Sequence, residues 1–159
     1  MFKKIIWATD GSDPADLALP YVKAIASKDD ASIVVFHSVV AMLGPRAGGQ
    51  PIYANEDELK AKIEKQVETL ADEGYDVRLK VFGGDTLHGA AYDIARAADQ
   101  EHADLIIAGT RGHTVLGGLL LGSVTQRLLH LAHCPVLVVP SAVASGDSTV
   151  SVERDQAVA

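Results

Sequence analysis

Four short, uninterrupted apolar runs constrain this chain most: Ile5-Ile6-Trp7-Ala8, Ile33-Val34-Val35-Phe36, Leu105-Ile106-Ile107-Ala108 and Val136-Leu137-Val138-Val139. A strand with one wet face alternates apolar and polar residues. A run with no alternation is covered on both faces, which is the habit of parallel sheets. Between the runs lie stretches at helical spacing, such as Leu59, Ile63, Val67 and Leu70, or Leu87, Ala90, Ala91, Ile94 and Ala98. Asp76 to Phe82 reads as a further strand, more alternating and so nearer an edge. Strands alternating with helices require a parallel sheet with right-handed crossovers. Five strands in 159 residues favour one α/β domain, a doubly wound, Rossmann-like or flavodoxin-like sheet with helices on both faces.

The first strand ends in Asp10-Gly11-Ser12, a turn sequence. A helix is expected to start there, with Ser12 or Asp13 as cap, Pro14 in its first turn, and Leu17, Tyr21, Ala24 and Ile25 facing inward. Pro20 would remove a hydrogen bond from its interior, so a bent or late-starting helix is predicted. Residues 41–55, rich in Gly and Pro, read as a long loop, and Gly83-Gly84-Asp85-Thr86 as a turn and helix cap. A last helix over 123–131 presents Val124, Leu128 and Leu131, and Cys134-Pro135 breaks the chain before the fifth strand, which Pro140 stops. The domain is thus expected over 1–140, with 141–159 as a flexible tail lacking a sustained apolar face.

The net charge of −7 argues against a nucleic-acid backbone as partner. It leaves a single nucleotide open, because oriented backbone amides act locally. The single cysteine, Cys134, excludes an internal disulfide and fits a reducing compartment. The N-terminal apolar run is too short for a signal-peptide core, and no run reaches membrane-spanning length. A cytoplasmic address is expected.

Residues 109–125, GTRGHTVLGGLLLGSVT, join the fourth strand to the last helix. Gly109 and Gly112 are separated by two residues, nine more lead to Gly122, and Ser123 follows directly. Glycine lets backbone N–H groups approach an anion closely, and a helix start adds open N–H groups and a positive dipole end. With 14 glycines, this spacing arises by chance in on the order of one per cent of such chains. The arrangement suits a phosphate group. Ser123 and Gln126 also fit a capping box, which needs no ligand.

The order of elements and four motifs together resemble the universal stress protein family over residues 1 to about 140. The motifs are Ala8-Thr9-Asp10, Phe36-His37-Ser38-Val39, the G-x2-G-x9-G-S stretch, and Cys134-Pro135-Val136-Leu137-Val138-Val139-Pro140. The resemblance implies a sheet in the order 3-2-1-4-5 and a homodimer paired through the fifth strand, Val136, Leu137, Val138 and Val139. It implies a regulatory, stress-response protein that binds ATP, or ADP or AMP, with Mg or Mn accompanying the nucleotide. Gly109, Thr110, Arg111, Gly112, His113, Thr114 and Val115 would wrap the phosphates and ribose. Gly122, Ser123, Val124 and Thr125 would close over the phosphate tail. Ala8 and the backbone of Ser38 and Val39 would flank the adenine, and Thr9 would also belong to the nucleotide site. In that strand order the crevice opens beyond the first and fourth strands, where Asp10 and Gly109 both lie. Asp10 would accept from a ribose hydroxyl or help hold the metal, although aspartate is also an ordinary turn residue there.

Two rivals stand beside this reading. A slow Mg-dependent ATP hydrolase would reuse the same site, but the chain has no G-x-x-x-x-G-K-[ST] loop to supply a phosphate lysine. A nucleotide-independent interaction module, regulating a transporter or kinase, would leave the glycines without a task. His130, His133 and Cys134 invite a metal-site reading but offer no evident fourth ligand, and a cationic helix end accounts for them better. His37, His88 and His102 carry no separate signal.

Overall fold

The computed structural model describes residues 2–26, 30–39, 42–43, 51–52, 56–83, 88–110 and 121–141. Its main sheet contains β1 (Lys4–Ala8), β2 (Ser32–Val39), β5 (Asp76–Gly83), β6 (Leu105–Gly109) and β7 (Val136–Val139). All pairings are parallel, in the order β5-β2-β1-β6-β7, which is 3-2-1-4-5 counting these strands alone. The helices are α1 (Asp13–Asp16), α2 (Leu19–Ile25), α3 (Glu56–Asp72), α4 (Ala90–Glu101) and α5 (Ser123–Leu131).

β1 lies at the centre, and its side chains alternate between two cores. Ile5 and Trp7 join the core on the α2 and α3 side, while Ile6 and Ala8 join the one built with α4 and α5. An unbroken apolar run follows from that double covering. β5 is the edge next to β2 and has an alternating burial pattern, as expected. β7 forms the opposite edge, with Val136, Leu137 and Val138 half-buried and Val139 buried.

Three local expectations change. The segment around Pro20 is two helices, because the chain turns at Leu17-Ala18 and Pro20 falls in the first turn of α2, where no intrahelical donor is needed. That break shifts the helical phase, so Ala15, Ala18, Val22 and Ala26 face inward. Leu17 and Tyr21 are 40% and 49% exposed instead, and Ala24 is exposed. α4 starts at Ala90 behind Gly89, whose φ of 76 is open to glycine, rather than behind Asp85-Thr86. Positions 84–87 lie outside the described residues. Within 41–55, Met42–Leu43 (β3) pairs antiparallel with Pro51–Ile52 (β4), so the stretch is not loop throughout. The expected tail is undescribed beyond Ser141.

Candidate functional site at the ends of β1 and β6

β1 and β6 are neighbours, with Ala8 opposite Ala108. The chain leaves β1 toward α1, on one side of the sheet, and returns from β6 into α5, packed on the other. Asp10 and Thr110 are each two residues beyond that aligned pair. Divergent connections from adjacent parallel strands open a crevice at their carboxyl ends.

The β1 exit is a tightly bonded turn. Thr9 N–H donates to the Phe36 carbonyl at 3.0 Å, and Gly11 N–H donates to Thr9 Oγ1 at 3.1 Å. Asp10 Oδ1 accepts from the Ser12 N–H at 3.0 Å and from its hydroxyl at 2.6 Å. Ser12 in turn caps α1 by accepting from the Ala15 N–H. Asp10 therefore does the work of a turn aspartate, and it remains only half-buried at the strand end.

At the β6 exit the two ends of the glycine stretch are joined. Thr110 N–H donates to Val139, and the Thr110 carbonyl accepts from Gly122 N–H at 2.7 Å. Thr125, on the first turn of α5 and buried, donates its hydroxyl to the Gly109 carbonyl at 2.8 Å. Thr110 Oγ1 accepts from the Ser141 N–H at 2.9 Å. Gly109, Thr110, Gly122, Ser123, Val124 and Thr125 thus assemble into one corner. Arg111, Gly112, His113, Thr114 and Val115 lie outside the described residues.

Ser123 is the first helical residue and exposed, not the cap, so the Ser123–Gln126 box does not form. The cap is Gly122, which has no side chain to offer, and its carbonyl takes the Gln126 N–H at 2.9 Å. The amides of Ser123, Val124 and Thr125 have no intrahelical acceptor, the ordinary condition of a first turn. The proton of Thr125 is spent on Gly109, which leaves Ser123 as the hydroxyl at this helix end that is exposed. Ser38 and Val39 end β2 beside β1, and the buried Ser38 Oγ has no hydrogen-bond partner among the described residues. Amides without an intrahelical acceptor, an exposed hydroxyl, a buried oxygen without a partner among the described residues and the Asp10 turn suit a ligand with anionic and polar parts.

Two residues given no role from the sequence join this region. His37, 2% exposed, has Nδ1 3.1 Å from the Thr9 carbonyl and Nε2 2.7 Å from Glu56 Oε1. Lys62 donates to the Gly11 carbonyl at 2.9 Å and to Asp13 at 2.9 Å, and reaches Asp16 at 2.6 Å. Partial desolvation works against its charge, but hydrogen bonds to Asp16 and Asp13 and their negative charge outweigh it, so the ammonium pKa is raised. A histidine inside an otherwise apolar strand was the one available hint. Lys62 offered none, since its partners are about fifty positions away.

His133 faces the Asp99 carboxylate at 3.1 Å, and no group of three or more metal-ligating side chains occurs among the described residues. The Cys134 thiol is pushed up by burial and by the charges of Asp99 and Asp104, the reverse of an activated thiol.

The sequence profile of the universal stress protein family matches residues 1–140. The chain belongs to that family. It is 37% identical over 140 residues to a universal stress protein of Thermus aquaticus, covering 87% of this chain and 99% of that one. It is 31% identical over 154 residues to universal stress protein MJ0577 of Methanocaldococcus jannaschii, covering 87% and 95%. The solved structure of MJ0577 superposes with a TM-score of 0.65 over 91% of this chain and 99% of that one. Two further solved family members share the fold. One is in complex with cAMP, at 24% identity, TM-score 0.58 and coverage of 89% and 98%. The other, from Archaeoglobus fulgidus, is in complex with dAMP, at 22% identity, TM-score 0.61 and coverage of 87% and 97%. Among the described residues, no helix is long and apolar enough to cross a membrane.

Proposed function

We propose that this universal stress protein is a regulatory, stress-response protein that binds an adenine nucleotide, ATP or its lower phosphates, between the ends of β1 and β6. The observation that carries the reading is the corner formed by Gly109, Thr110, Gly122 and Thr125. It brings an α5 start without a side-chain cap to the crevice that holds Asp10. The solved relatives in complex with cAMP and dAMP support adenine as the base. In this reading the Ser123 and Val124 amides and the Ser123 hydroxyl meet phosphate, together with Gly109 to Val115. Ala8, Thr9, Ser38 and Val39 meet the base, and Asp10 meets a ribose hydroxyl or a Mg or Mn ion carried by the phosphates. When bound, the ion would neutralise phosphate charge. The protein acts in the cytoplasm as a homodimer through β7, with occupancy altering its shape or a partner-binding surface.

The test is to purify the protein without added nucleotide, denature it and identify the released small molecule by mass spectrometry, with calorimetric titration of Mg-ATP alongside. Co-purified ATP is expected. Released ADP or AMP would turn attention to slow hydrolysis. A protein that is empty and gives no heat would overturn the reading and favour a nucleotide-independent interaction module.

A further inference from the structure

We propose that Lys62 and the His37–Glu56 pair are positioning residues that brace Asp10 from α3. Asp10 lies between two backbone carbonyls, those of Thr9 and Gly11, and each is gripped by a polar contact that leads to α3. On one side His37 Nδ1 meets the Thr9 carbonyl at 3.1 Å, and the same ring meets Glu56 at 2.7 Å. A carbonyl only accepts, so that contact puts a proton on Nδ1. On the other side Lys62 meets the Gly11 carbonyl at 2.9 Å.

An ammonium has three protons, and Lys62 meets three acceptors: Gly11, Asp13 and Asp16. It has none left for a phosphate, so its influence on a ligand in the crevice passes through the turn. Glu56 opens α3, and Lys62 sits between one and two turns further on. The contact is also apolar: a Cβ at Gly11 would stand 3.1 Å from Leu59 Cδ2 and 3.4 Å from Ile63 Cδ1, so the turn rests on the helix. The Asp10 carboxylate is oriented from within by Ser12, and the backbone that carries it is held from outside by α3. Ligand binding that needs Asp10 in one place therefore depends on residues that do not touch the ligand.

This inference rests on the nucleotide reading above, and a double-mutant cycle separates the two. The affinity for Mg-ATP is measured by calorimetry for the wild type, Lys62→Met, Asp10→Ala and the double variant, with urea midpoints for each. Lys62→Met keeps the stem and removes the three donors. It is expected to weaken binding about tenfold, and Lys62→Arg to recover part of the loss. The double variant should bind no more weakly than Asp10→Ala alone. A purely structural lysine would lower the midpoint without that coupling. If Lys62→Met does not fold, Glu56→Ala takes its place, with Glu56→Gln as the variant that keeps an acceptor for His37. A wild type that does not bind Mg-ATP overturns the nucleotide reading and the brace together. A wild type that binds overturns the brace alone if Lys62→Met binds equally well, if Asp10→Ala binds equally well, or if the two losses multiply in the double variant.

Discussion

Thr125 donates its hydroxyl proton to the carbonyl of Gly109, sixteen residues earlier, across 2.8 Å in a buried corner. The bond ties the first turn of α5 to the last residue of β6 and so closes the glycine stretch at its base. Thr125→Val keeps the shape and removes the donor, leaving the Gly109 carbonyl without this partner. A loss of about 1–2 kcal/mol in urea denaturation is expected, with Thr125→Ser near the parent. Nucleotide affinity should fall in the same order. An unchanged midpoint and affinity for Thr125→Val would remove this bond from the account.

Gly11 has a φ of 75, and an added Cβ would meet Leu59 at 3.1 and 3.3 Å. Gly11→Ala therefore combines a left-handed backbone with crowding against α3, at an expected cost of about 1–3 kcal/mol. Leu59→Ala in the same protein should relieve the crowding part and leave the backbone part. Calorimetric unfolding of the two single variants and the pair measures the division.

β7 is a sheet edge, and it pairs only with β6 among the described strands. An unpaired, half-buried apolar edge is suited to joining another chain. If the homodimer forms there, Val138→Asp places a charge in its seam and shifts the protein toward one-chain mass in light scattering at micromolar concentration. A parent of one-chain mass, or a variant that stays dimeric, would move the interface elsewhere.

Glu101 ends α4 and meets Arg78 and Lys80, both on β5. Burial pushes its carboxyl up, but the hydrogen bond from Lys80 and the charges of Arg78, Lys80 and Lys4 outweigh that, so its pKa is lowered. The folded protein thus holds this proton less readily than the unfolded chain. The stabilisation is fully present above the ordinary value of 4.5 and is lost as pH falls through the lowered folded value. Urea midpoints from about pH 7 to about pH 3 should fall less steeply at the acid end for Glu101→Gln than for the parent. Parallel acid limbs would show that other carboxylates carry the dependence.

The strands were legible because burial on both faces writes itself as local apolar runs, as in Ile5-Ile6-Trp7-Ala8 and Leu105-Ile106-Ile107-Ala108. α3 was legible for a similar reason, with Ile63 and Leu70 buried at its own period. The inner face of the first helical segment was not. One turn at Leu17-Ala18 changes which residues point inward, and the pattern of Leu17, Tyr21 and Ala24 looks equally regular when read through that break. Ser123 looked like a cap because it stands at the helix start, yet Gly122 holds that place, one residue earlier.

By itself the sequence determined the α/β class, the order of elements and the spaced glycines beyond the fourth strand, because each is a pattern within a few residues or one element. Only the tertiary structure decided that His37 and Lys62 would hold the carbonyls on either side of Asp10, and that Thr125 would reach back to Gly109. Those pairings join positions 28, 51 and 16 residues apart. No local periodicity encodes them. They exist because the parallel crossovers lay α3 and α5 beside the ends of β1 and β6, where buried carbonyls need donors.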